Sequence, residues 1–265
     1  MQRNPSRSNI GARFSAAAST YSAASKLQDQ VARRVLELVP TTVCATSVLD
    51  AGCGPGRLLG LARPRWPDAA WLGVDIAPGM VLTARQAYAN DPRAQFVEGD
   101  VAAFQADRSF DLVVSSSALQ WLQPFAEGVA HVAQLCSPGG MVAMGVMLDG
   151  TLGELHAARR SAVPNNPAQG RLPTLDALEC AANAIPGARI RQLEHASAYY
   201  DQACAMDVLR SLHAMGVTGG EVSRGERPLT RGELQALAAD YDQHFATPVG
   251  VRVTFVLGYL LLEMV

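Results

Sequence analysis

The stretch Val48-Leu-Asp50-Ala-Gly52-Cys-Gly54-Pro-Gly56 decides how this chain folds. A short apolar run enters a cluster of three glycines, and a helical segment, Arg57-Leu-Leu-Gly-Leu-Ala, follows at once. Glycines suit such a turn because the backbone must turn sharply and can then approach a ligand without a Cβ in the way. The free N–H groups at the start of the helix favour a carboxylate or a phosphate. The stretch therefore predicts a strand, a ligand-binding turn and a helix.

Four more apolar runs repeat the strand pattern along the first half of the chain. They are Trp71–Asp75, Gln95–Asp100, Phe110–Ser115 and Met141–Met147, the last of them after a turn at Ser137–Gly140. Helix-length segments separate the runs, and a helical apolar stripe precedes the first strand at Leu27, Val31, Val35 and Leu38. Short, continuously apolar strands that alternate with helices are typical of a buried parallel sheet. We therefore expect an α/β fold with helices on both faces of the sheet.

The pattern changes beyond about residue 150. The predicted elements there are helix Leu152–Arg160, helix Thr174–Ile185, strand Ala196–Asp201, helix Ala203–Met215, a helix from Thr230 to near Phe245, and strand Val251–Leu262. We expect this region to return to the sheet only at its ends, and much of the rest to form a lid. The predicted organisation is a lid segment at 1–26, a core at 27–150, a substrate and lid region at 151–250, and a last core strand at 251–265.

Composition argues against several classes of protein. The chain has 265 residues, is 49% hydrophobic, and carries 22 Lys and Arg against 24 Asp and Glu, which argues against a disordered chain and a nucleic-acid binder. Its five cysteines are scattered without a CxxC pair, so we expect no disulfide framework and no metal site. The longest apolar stretch, Val253–Leu262, is too short to span a bilayer, and the N-terminus lacks the apolar run of a signal peptide. We expect a soluble, cytoplasmic protein with no nucleic-acid or membrane partner, and the oligomeric state stays open.

Two further acids stand at strand ends. Asp75 ends the second apolar run, where an acid can accept both hydroxyls of a ribose, and Asp100 ends the third. A dinucleotide fingerprint, G-x-G-x-x-G, would need a third glycine where Arg57 stands. The G-x-G-x-G spacing, with Asp50 two residues before its first glycine, instead resembles motif I of class I S-adenosylmethionine (SAM) methyltransferases. An ordinary glycine turn is the alternative, but three acids at three successive strand ends favour SAM binding.

This resemblance implies a Rossmann-like class I methyltransferase fold, with a seven-stranded, mostly parallel sheet, helices on both faces and a helical lid. It also implies SAM as the methyl donor, with S-adenosylhomocysteine as its product. Asp100 and the amide of Val101 would bind the adenine, and the segment Asp111–Trp121 is similar to the motif IV region, whose residues face the methyl donor. The expected cofactor-binding residues are Asp50, Gly52, Cys53, Gly54, Gly56, Asp75, Ile76, Met80, Asp100, Val101, Ser115 and Ser116.

Segments outside the nucleotide-binding half resemble one family more narrowly, the malonyl-acyl-carrier-protein O-methyltransferases of biotin synthesis. These segments are Arg13–Tyr21, Leu27-Gln28, Gln120-Trp121, Ser137–Gly140, Gly150–His156, Leu209–Thr218 and Leu229–Leu234. The resemblance extends from about Arg13 to Leu262, and it departs at Gly219-Gly220, where bulkier residues are expected. It implies that the substrate is a malonyl thioester on an acyl-carrier protein or on coenzyme A, and that its free carboxylate becomes a methyl ester.

Such a reaction needs alignment and a dry pocket rather than a general base, because a carboxylate is already ionised at neutral pH. We expect Tyr21, Gln120 and Trp121 to position the reactants. The substrate carboxylate would be held by Tyr21 together with Arg13 or Arg171.

Histidine catalysis is not expected, because His131 and His156 fall on predicted helices where packing or surface roles are more common. An acidic carrier protein should meet a basic surface patch, for which the candidates are Arg189, Arg191, Arg210, Arg224, Arg227 and Arg231.

Three other functions stay open. A methyltransferase of a small polycarboxylate, of the trans-aconitate type, would share the nucleotide-binding half without needing the segments of the far half. A methyltransferase that tailors quinones or polyketides is a weaker alternative, and a SAM-binding regulator without turnover is an alternative of another class.

Overall fold

The computed structural model of this chain describes residues 11–16, 26–215 and 225–265. Tyr21, Arg224 and Gly219-Gly220 lie outside the described residues, so what we expect of them stays a prediction. An eight-stranded sheet organises the described residues. Its strands are β1 (Ser47–Ala51), β2 (Ala70–Asp75), β3 (Ala94–Glu98), β4 (Phe110–Ser116), β5 (Cys136–Met147), β6 (Ala188–Gln202), β7 (Ala246–Thr247) and β8 (Gly250–Met264).

The strand order is β3-β2-β1-β4-β5-β8-β6, and the short β7 pairs with β8 beside this path. Strands β1 to β5 run parallel, whereas β8 is antiparallel to both β5 and β6. This order confirms the predicted Rossmann-like fold. The chain runs outward from β1 to β3 and then crosses to β4 on the other side of β1, which leaves a crevice at the carboxyl ends of these strands.

Nine α-helices accompany the strands in the described part of the chain. They are α1 (residues 11–16), α2 (Lys26–Leu38), α3 (Arg57–Ala62), α4 (Pro78–Ala87), α5 (Phe125–Ala133), α6 (Gly153–Ala162), α7 (Leu175–Asn183), α8 (Ala205–Ala214) and α9 (Arg231–His244). The start of α9 is fixed by a capping box, in which the Thr230 side chain accepts the Glu233 N–H and the Glu233 carboxylate accepts the Thr230 N–H. No helix among these is long and apolar enough to cross a membrane.

Both faces of the sheet are covered, because successive residues of a strand point to opposite sides. In β1, Val48 packs into one apolar cluster and Leu49 into the other. Helices α2, α3, α4, α6, α8 and α9 contribute to the first cluster, and α5 and α7 to the second. Helix α2 approaches the sheet closely at Gly145, where a Cβ would lie 2.7 Å from the Val31 Cγ1. The closeness of this contact fixes α2 against β5.

The structure departs from the predicted strands at β5 and β6. The expectation that the far half returns to the sheet only at its ends is wrong, because β6 lies in its middle and pairs along nearly all of β8. The sequence of β6 alternates half-buried and exposed residues at the sheet edge, and a search for apolar runs detects only part of such a strand. The predicted turn at Ser137–Gly140 is an irregularity inside β5, with Gly139 at φ +78°.

Candidate active site

A cavity lies where the carboxyl ends of β1 to β4 meet. Its wall consists of Phe14, Gly52, Gly54, Asp75, Ile76, Met80, Asp100, Val101, Ser116, Ser117, Ala118, Trp121 and Leu122. Most of the residues expected from the sequence to bind the cofactor are among them, together with Trp121. Parallel strands bring their carboxyl ends to one edge, so residues far apart in the sequence come to line one crevice. We call this space the cofactor cavity.

The three glycines of the turn have different structural roles. All adopt positive φ, at +80° for Gly52, +53° for Gly54 and +85° for Gly56. A Cβ on Gly52 would lie 2.2 Å from the Ala118 Cβ, and a Cβ on Gly56 would lie 2.6 Å from the Tyr88 ring. A Cβ on Gly54 would meet no described atom within 4 Å. The cofactor therefore has open space beside Gly54, whereas packing within the protein requires the other two glycines.

Asp75 connects the end of β2 to the glycine turn. One carboxylate oxygen accepts the Gly54 N–H at 2.8 Å, and the other accepts the Ala77 N–H at 2.8 Å. Burial raises the pKa of Asp75, and the two N–H donors oppose that rise. Each oxygen keeps a further lone pair in the cavity wall, so the carboxylate can accept the two hydroxyls of a ribose.

Asp50 is a buried acid that the fold itself does not satisfy. Its side chain is fully buried in β1, and neither carboxylate oxygen has a hydrogen-bond partner among the described residues. Burial raises the pKa of Asp50 well above its ordinary value, and the nearby negative charge of Asp75 raises it further. Such a group is stabilised either by a proton or by a positive charge brought by a ligand.

Several predicted cofactor contacts lie behind the cavity wall rather than in it. Ser115 points back into the sheet and donates to the Ala51 carbonyl at 2.6 Å, while its neighbour Ser116 faces the cavity. The buried Gln120 donates to the Ser117 carbonyl at 2.8 Å and so braces the turn after β4. Ser115 and Gln120 therefore lie behind the cavity wall, and the roles predicted for them, cofactor binding for Ser115 and positioning of the reactants for Gln120, stay predictions.

Asp50, Cys53 and Gly56 are also absent from the cavity wall. The Cys53 thiol packs beneath Gly73, and its backbone N–H donates to the Val74 carbonyl at 3.1 Å. Burial raises the pKa of this thiol well above its ordinary value, so it is an inert packing group. Gly56 begins α3 beside Tyr88, whose hydroxyl donates to the Gly56 carbonyl at 2.8 Å.

Helix α1 brings part of the predicted N-terminal lid to the cofactor cavity. Phe14 lies in the cavity wall and meets Trp121 edge to face, with ring centroids 6.3 Å apart and an interplanar angle of 67°. The Ser15 hydroxyl accepts the Gly79 N–H at 3.1 Å and ties α1 to the start of α4. Phe14 was not predicted from the sequence, although it stands inside the Arg13–Tyr21 segment.

A second cavity, of about 590 Å³, adjoins the first, and Trp121 lies in the wall of both. We call it the substrate cavity. Its apolar wall comprises Met147, Leu152, Leu155, Ala168, Leu172, Leu209, Leu212, Met215, Pro228, Leu229, Leu234, Leu237 and Phe255. Its other described wall residues are Arg13, Gln28, Thr151, His156, Arg159, His213, Gly225, Glu226 and Arg227. The cavity therefore suits a molecule with an apolar or uncharged body and an anionic group.

The structure distinguishes the two arginines that were predicted to hold the substrate carboxylate. Arg13 lies in the substrate cavity, as expected, but Arg171 is exposed and outside both walls, while its neighbour Leu172 faces the cavity. His156 is half-buried and lines the substrate cavity, and the packing or surface role predicted for it stays a prediction. Burial first, and then the adjacent arginines, lower the pKa of His156 and keep it neutral at physiological pH.

The remaining predictions concern His131 and the arginines of the basic surface patch. His131 packs as expected, with its Nε2 2.8 Å from the Phe104 carbonyl. Three arginines of the predicted basic patch pair with acids, in Arg191–Glu263, Arg210–Asp207 and Arg227–Glu233. Their charge is partly neutralised, and a carrier-protein footprint stays a prediction.

The residues of the cofactor cavity fit SAM. This molecule carries a ribose, for which Asp75 offers two acceptor oxygens in the cavity wall, and two positive centres, which the charge of the buried Asp50 carboxylate behind the wall would favour. The open space beside Gly54 can admit its amino-acid end. Among the described residues, no group of three His, Cys, Asp or Glu side chains could hold a metal ion.

Comparison with known proteins agrees with this geometry. A family profile described as a methyltransferase domain matches residues 48–140. A trans-aconitate 2-methyltransferase of Escherichia fergusonii is 32% identical over 212 residues, which cover 76% of this chain and 73% of that protein. A relative of the same name from Shigella flexneri is also 32% identical, over 74% of this chain and 75% of the relative.

Solved structures share the fold at low sequence identity. The geranyl diphosphate C-methyltransferase of Streptomyces coelicolor, in complex with S-adenosylhomocysteine, matches with a TM-score of 0.53 and 12% identity, over 88% of this chain and 78% of that chain. The sequence relatives thus support the trans-aconitate alternative better than the malonyl-thioester reading, and both readings share a SAM-dependent methyltransferase.

Replacing Gly54 by alanine should separate cofactor binding from folding. The added Cβ meets no described protein atom, but it occupies the space beside the turn and must tolerate a positive φ. We expect Gly54→Ala to weaken SAM binding at least about tenfold, at a stability cost of about 1–2 kcal/mol. Titration calorimetry and thermal unfolding measure the two effects.

Gly52→Ala is the matched variant, because its Cβ collides with Ala118. It should destabilise the protein more than Gly54→Ala does. Equal SAM affinity in Gly54→Ala and the parent would place the ligand elsewhere.

Asp50→Asn should stabilise the protein in the absence of SAM while weakening SAM binding. The pKa of Asp50 is higher in the folded than in the unfolded state, so its stabilising contribution is complete below the unfolded value near 4 and is lost as pH rises through the folded value. The neutral amide removes this loss. The gap in unfolding free energy between variant and parent should therefore widen from pH 5 to pH 8.

Asp68→Asn serves as the control for this profile, since the Asp68 side chain is 88% exposed. It should leave the pH dependence of unfolding unchanged. A parallel profile for Asp50→Asn and its parent would show that the Asp50 carboxylate is satisfied in the folded state.

Asp75→Ala should lower SAM affinity by about 10- to 150-fold, which corresponds to the loss of two hydrogen bonds to a charged acceptor at about 1.5–3 kcal/mol in total. Calorimetric titration with SAM measures the change, and circular dichroism confirms that the variant is folded. Unchanged affinity in a folded variant would contradict the ribose assignment.

Proposed function

Because this chain belongs to the class I SAM-dependent methyltransferase family, we propose that it transfers the methyl group of SAM to a substrate carboxylate. The observation that carries the proposal is the contact between the two cavities at Trp121. At Trp121, the cofactor cavity, which contains the acid Asp75, adjoins the larger and mostly apolar substrate cavity, which has arginine side chains in its wall. Such a pair of sites can bring an anionic nucleophile to an electrophilic methyl group.

The chemistry makes few demands on protein side chains. SAM supplies a methyl group on a positively charged sulfonium. A carboxylate is ionised at neutral pH, so the transfer needs no general base. The apolar wall of the substrate cavity disfavours water, and Phe14 packs edge to face against Trp121, the residue that both cavities share. The protein then acts mainly by aligning two reactants.

We further propose a malonyl thioester as the substrate. Three segments on which the family resemblance was based, Gly150–His156, Leu209–Thr218 and Leu229–Leu234, all contribute residues to the substrate cavity. A volume of about 590 Å³ with an extensive apolar wall also provides room for the carrier arm of a thioester. Whether that arm belongs to an acyl-carrier protein or to coenzyme A stays open.

Trans-aconitate is the second candidate, and the two sequence relatives of that name support it. A free tricarboxylate brings three negative charges in a small volume, and binding it requires several cations close together. The substrate cavity offers Arg13, Arg159 and Arg227, but Arg227 already forms a salt bridge with Glu233. This balance of charge and apolar area supports the thioester over the tricarboxylate.

A direct competition assay tests the proposal. The purified protein is incubated with SAM and either malonyl-coenzyme A, malonyl-acyl-carrier protein or trans-aconitate, and methyl esters are measured by mass spectrometry. We expect a kcat/KM for a malonyl thioester at least about 100-fold above that for trans-aconitate, because uncompensated buried charges cost several kcal/mol.

A preference for trans-aconitate would establish the second candidate instead. Normal SAM binding without any methyl ester would support the regulator alternative. Gly54→Ala, in which we expect SAM binding to be weakened, is the control. Methyl ester formed equally fast by this variant and by the parent would not depend on the cofactor cavity.

A further inference from the structure

Helix α1 contributes one residue to each cavity. Arg13 lies in the wall of the substrate cavity, and its neighbour Phe14 lies in the wall of the cofactor cavity. Phe14 also packs edge to face against Trp121, which both walls share. The six residues of α1 are too few to form a stable helix by themselves, so the positions of these side chains depend on what α1 packs against.

The start of α4 is bound to α1 by a hydrogen bond. The N–H of Gly79, the second residue of α4, donates to the Ser15 hydroxyl at 3.1 Å. The N-cap residue of α4 is Ala77, which has no side chain that could accept such a bond. Ser15 therefore supplies from α1 the hydrogen bond that an N-cap side chain usually makes.

Two glycines let the backbones of these segments approach closely. A Cβ on Gly79 would lie 2.8 Å from the Ser15 carbonyl oxygen and 2.9 Å from the Ser15 Cα. A Cβ on Gly11 would lie 2.9 Å from the Ile76 carbonyl oxygen. All three atoms belong to the backbone, which cannot move aside as the end of a flexible side chain can. Neither glycine has a φ in the left-handed region, so it is the close approach that disfavours a side chain there.

This contact lies beside the acid that we assign to the ribose. Ile76 follows Asp75 and lines the cofactor cavity, and the Ala77 N–H donates to Asp75 at 2.8 Å. Gly11 and Gly79 themselves lie outside both cavity walls. A substitution at either glycine can therefore displace α1 without replacing a residue that lines a cavity.

We infer that Gly11 and Gly79 are positioning residues for methyl transfer, because their contacts dock α1 against residues 76–79 and thereby place Arg13 and Phe14 at the two cavities. This inference rests on the proposed function. Arg13 brings a positive charge to an anionic acceptor, whereas Phe14 brings an apolar ring to the cofactor cavity. Loss of the docking should therefore weaken acceptor binding more than SAM binding.

Gly79→Ala tests the inference. Alanine favours a helix more than glycine does, so the substitution is favourable within α4, and thermal unfolding should stay close to that of the parent. Because the added Cβ collides with α1, the KM for the acceptor should rise at least about tenfold, with a smaller change in kcat and in SAM affinity. The acceptor is whichever of malonyl-coenzyme A, malonyl-acyl-carrier protein and trans-aconitate the parent methylates.

Cleavage by trypsin after Arg13 reports the docking of α1 without any acceptor. A protease needs its site locally unfolded, so a docked α1 protects the bond between Arg13 and Phe14. In Gly79→Ala, the fragment that begins at Phe14 should form at least about tenfold faster than in the parent, as measured by mass spectrometry. Gly11→Ala should have the same effects from the other side of the contact. The double variant should add little, because both substitutions break one contact.

Gly232→Ala is the matched control. Gly232 is also the second residue of a helix, α9, and a Cβ there would meet no described atom within 4 Å. This variant should match the parent in cleavage after Arg13 and in the KM for the acceptor.

Three results would overturn the inference. Cleavage and acceptor KM like those of the parent in both glycine variants would show that α1 does not depend on this contact. Faster cleavage with an unchanged acceptor KM would show that α1 docks there without positioning the acceptor. Effects that add fully in the double variant would assign the two glycines to separate contacts. A parent that forms no methyl ester from any of these acceptors contradicts the proposed function, and the cleavage rates then decide on the docking of α1 alone.

Discussion

The Asp75 carboxylate is the interaction on which the site depends. It accepts one N–H from Gly54 in the turn after β1 and one from Ala77 before α4, so a single side chain joins two neighbouring strand-to-helix connections. These bonds hold the glycine turn at the height of the cavity and orient both carboxylate oxygens. The cofactor cavity is therefore preorganised by backbone donors, which have no side-chain freedom to lose when a ligand binds.

Buried charge distinguishes the functional regions from the rest of the fold. Asp50 lies without a described partner beneath the cofactor turn, and Arg159 lies in an apolar wall of the substrate cavity. Both placements oppose the usual preference of charged groups for water. A ligand that carries positive charge to the cofactor cavity would relieve the cost of burying Asp50.

The two cavities divide recognition between two halves of the chain. The cofactor cavity is built at the edge of the parallel strands, which many methyltransferases share, and its residues say little about the acceptor. The substrate cavity is formed largely by α6, α8, α9 and residues 225–229, with single residues from α1, α2, β5 and β8. Specificity therefore depends on helices outside the nucleotide-binding half, where the resemblance to the malonyl-thioester enzymes is concentrated.

The sequence by itself determined the parallel core, the glycine turn and the acids Asp75 and Asp100. These features depend on local spacing and on the continuous apolar character of buried strands, and both can be recognised in the sequence alone. It also predicted roles for Arg13 and Trp121 beside the substrate, and both residues line the substrate cavity. It could not separate Ser115 from Ser116 or show that Gln120 braces a turn, because those outcomes depend on which face of a strand or turn each residue occupies.

Only the tertiary structure showed that His156 and Arg159 line a cavity, that Arg171 does not, and that β6 extends along nearly all of β8. The sequence of a helix does not show whether a given face of it meets solvent or a cavity. Burial is decided by contacts between segments distant along the chain, such as Gly225 against Arg159 and α2 against β5. Packing of this kind is a property of the assembled fold, and no local pattern contains it.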